Sequence, residues 1–509
     1  MHGRAAALLA VLAIALLAGC SGLPTAPGAD GAPGEDDASA RELTDDELGL
    51  VDGYRWNESI AVDGSDGLSE AELDAVVARA MARIERDRGL NFERTVPVDV
   101  VSRAEYRESS SGLFGSYDAV DTVAWRASFI VGDEGNVTAA FDELYGSSVA
   151  GYYTSAGGGK IVIVSDDPDA VRIDRSTLVH ELVHALQDQQ FGIARATDTR
   201  DERLAWNGLI EGEANYLMQR YDADCGAAFE CVDVSTDGRG PASESLNMGL
   251  YLTTFLPYSD GPAFVDDLHE RGGWDAVDRA YENPPTSTAQ IIHPERYPDD
   301  PPREVTVTDR SDGEWERFGA SGSDEDGSGE SGETVESSES DARTERLGEA
   351  SLFAGLWHNG VIGYQYPFSA SGEHTIYRYE HPITDGWDGD VLVPYRDGDG
   401  RTGYVLRTAW TNASEATAFR GGYERLLDSQ NATEVSAGVY RVPESASFTG
   451  AYRVTRTDDV VTIVHAPTVD ALDGVHAPTV AAAETAARDS VAASPVESDA
   501  AGAAAPANG

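Results

Sequence analysis

The run Leu178-Val179-His180-Glu181-Leu182-Val183-His184-Ala185-Leu186-Gln187-Asp188 constrains this chain more than any other stretch. At 3.6 residues per turn His180 and His184 stack on one face of a helix, where both imidazoles reach one ion. Glu181 lies about 100° further round, placed to hydrogen-bond a water on that ion without displacing it. Zinc suits imidazole ligands and lowers the pKa of its water toward about 7. Asp174 or Ser176 can cap the helix, Leu178, Val179, Leu182, Leu186 and Phe191 supply its buried stripe, and Gly192 stops it. The competing reading is a core helix with two satisfied histidines.

A third ligand has to come from elsewhere. A second helix, about Ala205 to Tyr221, holds Leu209-Ile210-Glu211-Gly212-Glu213-Ala214-Asn215-Tyr216. Two acids in an apolar stretch are expensive to bury without a metal or a hydrogen-bond partner. Gly212 and Ala214 would let this helix approach the first closely. Helical phase does not choose between Glu211 and Glu213, and solvated surface acids are the alternative. Asp188, one turn after His184, could orient its ring. His293, in Ile291-Ile292-His293-Pro294, could donate to a developing oxyanion, with Tyr152 and Tyr153 as competing donors. A structural histidine is the other reading of His293. Lys160–Val164 could be an edge strand that pairs with an extended peptide.

HExxH followed by a helix with a Glu-Gly-x-Ala string resembles the gluzincin branch of the zincin metallopeptidases. That resemblance implies a zinc ion held by His180, His184 and Glu211, the glutamate before the glycine. It also implies an active-site helix beside a mixed sheet, followed by a helical second half. The strings HELVHALQDQ, LIEGEANY, PYSDGPAFV and PPTSTAQIIHPERY are similar to a group of haloarchaeal surface lipoproteins and bacterial secreted relatives. The likeness covers roughly residues 65–470, with its specific motifs in 150–300. The Asn-Glu-x-x-Ser-Asp string of the thermolysin pattern is absent, so the substrate class stays open.

The expected fold class is α+β: a zincin-like domain over residues 46–318 and a smaller C-terminal α+β unit over 346–475. Leu68–Arg86 reads as an amphipathic helix through Leu73, Val77, Ala80 and Ile84, and Val96–Val101 as a strand with Pro97 at an edge. Gly151–Tyr153 and Lys160–Val164 form a hairpin around Gly157-Gly158-Gly159. Further helices are expected at about 261–271, 274–281 and 415–427. Residues 319–345, nearly all Ser, Gly, Glu and Asp, read as an acidic disordered linker, and 476–509 as a disordered tail.

The N-terminus reads as a processing signal. Arg4 precedes the apolar run Ala5–Leu16, and Leu17-Ala18-Gly19-Cys20 resembles a lipobox, so Cys20 would carry lipid. Residues 21–45 would be a flexible stalk. The expected location is the outer face of the cytoplasmic membrane, held by the lipid alone. An exported setting favours a disulfide between Cys225 and Cys231. Asn57, Asn136, Asn412 and Asn431 sit in N-x-S/T sequons.

With 37 basic and 89 acidic side chains the net charge is −52, and Lys160 is the only lysine. This excludes nucleic acid and basic-patch membrane binding. The pattern resembles the proteome style of halophilic archaea, where high salt screens self-repulsion. The leading functional expectation is a zinc-dependent metallopeptidase acting on a peptide or protein substrate. The alternatives are a non-catalytic envelope protein with a structural zinc, and a metal-dependent hydrolase of a non-peptide bond.

Overall fold

A computed structural model describes residues 40–478 except 45–46, 65, 111–116, 147–148, 166–170, 233–245, 319–341 and 371. The fold is α+β. Cys20 with its lipobox, most of the stalk, most of the acidic linker and nearly all of the tail lie outside the described residues.

A short ribbon, β1 (Leu50–Val51) and β2 (Tyr54–Arg55), precedes α1 (Glu70–Arg88). Ser69 and Glu72 close the start of α1: the Ser69 N–H and hydroxyl both donate to one Glu72 carboxylate oxygen, at 3.0 and 2.6 Å. Its expected apolar stripe, Leu73, Val77, Ala80 and Ile84, is buried. Next come β3 (Val98–Ser102), α2 (Arg103–Ser110), α3 (Ala119–Ala127), α4 (Val137–Gly146), β4 (Gly151–Thr154) and β5 (Lys160–Ser165). A helical run follows: α5 (Arg175–Phe191), α6 (Arg200–Asp224), α7 (Met248–Ser259), α8 (Gly261–Gly272), α9 (Trp274–Glu282) and α10 (Thr288–Ile292). The last part holds β6 (Trp315–Arg317), α11 (Gly348–His358), β7 (Trp387–Asp397), β8 (Thr402–Trp410), α12 (Ala413–Ser429), β9 (Thr433–Ser436), β10 (Val439–Val442), β11 (Gly450–Thr457), β12 (Val460–Ala466) and α13 (Leu472–Val475).

The N-terminal sheet is mixed. Its order is β3-β5-β4, with β3 parallel and β4 antiparallel to β5. Lys160–Val164 is therefore the central strand, not the edge expected. Its unbroken apolar run Ile161–Val164, buried together with Ser165, is the pattern of a strand covered on both sides. The edge beside α5 is β4.

Helix α5 starts on Asp174, whose carboxylate accepts from Thr177 N at 2.9 Å, and ends at Gly192, which takes φ +69°. Residues Thr177–Gln187 are buried all round, between α1, β4 and α6. Gly212 does bring α6 close to a neighbour, but to α8 rather than α5. A Cβ at Gly212 would collide with the Gly261 carbonyl, and a Cβ at Gly261 with the Gly208 carbonyl. Gly212→Ala should therefore force these backbones apart and cost about 1–3 kcal/mol, read as a lower Tm. An unchanged Tm would show that this contact is not tight.

The second sheet is antiparallel, in the order β6-β7-β8-β12-β11-β10-β9. Alternation splits its residues between two cores. Leu392, Leu406, Tyr452 and Ile463 pack with Phe419 and Tyr423 of α12, whereas Val393, Val405 and Val464 pack with Trp315 and α13. The first of these cores also takes Trp125 and Phe129 from beyond α2 and Leu250 and Phe255 from α7. The expected divide between 46–318 and 346–475 therefore does not divide the core, and β6 of the first segment completes the sheet of the second. Two other boundaries shift as well. Arg343 of the expected linker pairs with Asp121 and Glu345 at 2.9 Å each, and Glu345 N donates to Leu392 O at 3.0 Å. Leu43 of the expected stalk donates to Glu93 O at 2.9 Å. Cys225 and Cys231 form a disulfide just past α6. No helix among the described residues is long and apolar enough to cross a membrane.

Candidate metal centre

Helices α5 and α6 lie side by side and bring His180, His184 and Glu211 together. His180 Nε2 is 2.9 Å from His184 Nε2. Glu211 Oε2 is 3.1 Å from the first nitrogen and 3.2 Å from the second. Ligands about 2.0–2.1 Å from a tetrahedral zinc stand about 3.3 Å apart, so the triangle needs little expansion to hold one. Two imidazole nitrogens and one carboxylate oxygen meeting in a buried space repel or leave lone pairs unmet unless protons or a cation lie between them. Both imidazoles are fully buried and Glu211 is 2% exposed.

The protonation states agree with a site for positive charge. Burial opposes charge on His184, but Glu211 outweighs it and raises the imidazole to about 9. Burial likewise works against an ionised Glu211, yet His184 and His180 hold it down at about 2. Burial and the neighbouring His184 lower His180. With no metal, a proton on His184 neutralises Glu211; a metal would take that place and release the proton.

The sequence reading missed the residue that orients His184. Gln187 Oε1 accepts from His184 Nδ1 at 2.8 Å, and its Nε2 donates to Ile210 O at 2.9 Å and Glu213 Oε2 at 3.0 Å. Those two acceptors fix the amide orientation, which fixes the proton on Nδ1 and leaves Nε2 for the ion. Asp188, expected in that role, instead accepts from the Tyr153 hydroxyl at 2.8 Å. Gln187→Met should lower zinc affinity about 10–100-fold in a competitive chelator titration. Wild-type affinity would remove Gln187 from the site. Asn215, one turn beyond Glu211, faces His180 and favours its protonated form, and the Tyr258 ring lies 6.3 Å from it at 20°.

Glu181 is 2% exposed, and its Oε2 accepts from Tyr153 N at 2.8 Å. Burial pushes its carboxyl up to about 8. Because Tyr153 N–H points at Glu181, the side of β4 away from β5, which no strand among the described residues covers, is turned toward the site.

Glu213 is separated from the triad by its partners. Arg88 and Tyr281 both donate to its carboxylate, with Gln187 as the third donor. His293 does not join the triad either. Its Nε2 lies 3.1 Å from Glu349 Oε1 on α11, so the oxyanion role expected of it is not the one its contacts give. Tyr152 is half-buried with its ring 6.0 Å from Tyr106, and the Tyr153 hydroxyl is already committed to Asp188.

No curated protein and no solved structure matches the chain. Residues 333–476 match the family model DUF8575, a domain of unknown function, which takes in α11 and β7 to β12 but none of the triad.

Proposed function

We propose that the chain is a zinc-dependent hydrolase, a gluzincin-like metallopeptidase, with zinc held by His180, His184 and Glu211. The observation that carries this reading is the convergence of three buried donor atoms within 3.2 Å beside an unliganded glutamate, Glu181. Zinc, when bound there, supplies a Lewis acid and acidifies water. Glu181 takes the proton of the attacking water and passes it to the leaving amine. Gln187 keeps the His184 lone pair directed inward. The outer side of β4 faces the site, where an extended peptide would run. On the sequence reading this site lies outside the cell, on a lipid anchor at Cys20.

Zinc content and peptide cleavage, measured before and after chelation, test the proposal. Zinc near one equivalent at this triad, with cleavage that disappears on chelation and returns on reloading, is expected. No zinc bound would end it. A second reading rests on burial: His180, Glu181, His184 and Glu211 are all at most 2% exposed, which suits a structural zinc that braces α5 against α6. Zinc bound without cleavage of any peptide would select that reading.

A further inference from the structure

A second set of ligating side chains lies apart from the HExxH triad. His293 follows α10, Glu349 stands in the first turn of α11, and Asp385 belongs to the turn before β7. One donor atom from each lies within 4.8 Å of the others. His293 Nε2 is 3.1 Å from Glu349 Oε1. The turn is tied by Thr384 N and Asp385 N, which donate to His381 O at 2.7 and 2.9 Å, and Asp385 accepts from His381 N.

An ion pair between His293 and Glu349 leaves this arrangement unexplained. Glu349 is fully buried, and its second oxygen, Oε2, has no hydrogen-bond partner among the described residues. A buried carboxylate oxygen without a donor is costly. The Asp385 carboxylate, moreover, is brought up to a like charge. Asp260, at the start of α8, adds another orphan: it is buried, its Oδ2 has no hydrogen-bond partner among the described residues, and it lies within the field of His293 and Glu349. Arg296, the guanidinium that acts on Glu349, does not resolve this. Arg296 donates to Asp300 and to the Trp387 carbonyl, at 2.9 and 2.8 Å. A divalent cation would complete Glu349, neutralise both carboxylates and leave the histidine neutral.

We infer that His293, Glu349 and Asp385 form a second divalent-metal site, of the zinc class, which pins α11 and the 381–385 turn to the end of α10. One imidazole with two carboxylates suits zinc better than calcium, which takes 6–8 oxygen ligands. Asp385 is exposed, so the ion has a route in and keeps positions for water.

The test is zinc stoichiometry on the full chain, stripped with chelator, reloaded with zinc alone and desalted. Two zinc ions per wild-type chain are expected. His293→Gln, Glu349→Gln and Asp385→Asn should each fall from two to one. His184→Gln should also fall to one, and combined with Asp385→Asn to none. Cobalt loading should show two sets of visible bands in wild type and one in each single variant. A wild type that holds one zinc and a His184→Gln variant that holds none would overturn the inference. So would two zinc ions in both His293→Gln and Asp385→Asn. If Glu349→Gln does not fold, the exposed Asp385→Asn gives the same reading. One zinc in both wild type and His184→Gln, lost in Asp385→Asn, would sink the proposed HExxH site and leave this one standing.

Discussion

Glu181→Gln should keep its zinc and lose peptide cleavage by about 10²–10⁴-fold, the usual contribution of a positioned proton-transfer group. The substitution is nearly isosteric, and the amide oxygen can still accept from Tyr153 N, which now bonds the carboxylate at 2.8 Å. What it removes is the proton acceptor. A second readout separates a true substitution effect from a damaged fold. Glu181 has its carboxyl raised by burial from 4.5 to about 8, so the native state binds its proton more tightly than the unfolded chain. Stability from this group is then greatest below about pH 4.5 and declines as pH rises toward 8. In zinc-free protein Glu181→Gln should remove that decline and raise stability at pH 8 by at least about 1 kcal/mol. Urea melts across pH would record it. Cleavage at the wild-type rate by the variant would end the proposed mechanism, whatever its zinc content.

The histidine pair was legible because His180 and His184 stand one turn apart on one helix, whereas Glu211 and Glu213 share one apolar run and only the family resemblance chose between them. The orienting residue was equally local: Gln187 follows His184 by three positions on the same face. Its role falls to an amide where a carboxylate is the usual partner, and Asp188, the carboxylate expected there, faces Tyr153. Helices α7 and α11 were missed for another reason. Nearly every residue of Gly249–Ser259 and Gly348–Trp357 is buried. A helix covered on all sides has no polar stripe to reveal its period, and α7 also carries Pro257, a residue that disfavours a helix interior. Because α11 went unseen, so did Glu349 and its pairing with His293, which spans 56 positions. The C-terminal strands were readable by alternation, but not that Trp125, Phe129 and Phe255 would share their core. Such contacts depend on which faces meet, and composition does not say.

Glu211 and Glu213, indistinguishable by helical phase, should fail in opposite ways. Glu211→Gln exchanges an anionic ligand for a neutral amide that binds zinc weakly, so zinc affinity should fall by more than about 100-fold. In zinc-free protein the cost should stay below about 2 kcal/mol, because His184 can shed its proton once the carboxylate is gone. Glu213→Gln leaves the ligand triangle intact and strikes the fold. Arg88 and Glu213 are each 1% exposed and donate and accept directly. Burial disfavours the Arg88 charge, and Glu213 with Asp278 more than restores it, raising the guanidinium above its ordinary value. Asp278, its other carboxylate at 2.6 Å, is 37% exposed and cannot replace a buried partner. Removing one member of a buried pair costs about 3–5 kcal/mol, and Tyr281 and Gln187 lose their shared acceptor as well. Chemical denaturation of zinc-free protein should therefore show a large loss for Glu213→Gln and a small one for Glu211→Gln. A zinc titration should rank them the other way. If Glu213→Gln proves the weaker zinc binder, the ligand assignment on α6 is wrong; if both lose affinity equally, Gln187 transmits the change, because it bonds His184 and Glu213 with the two ends of one amide.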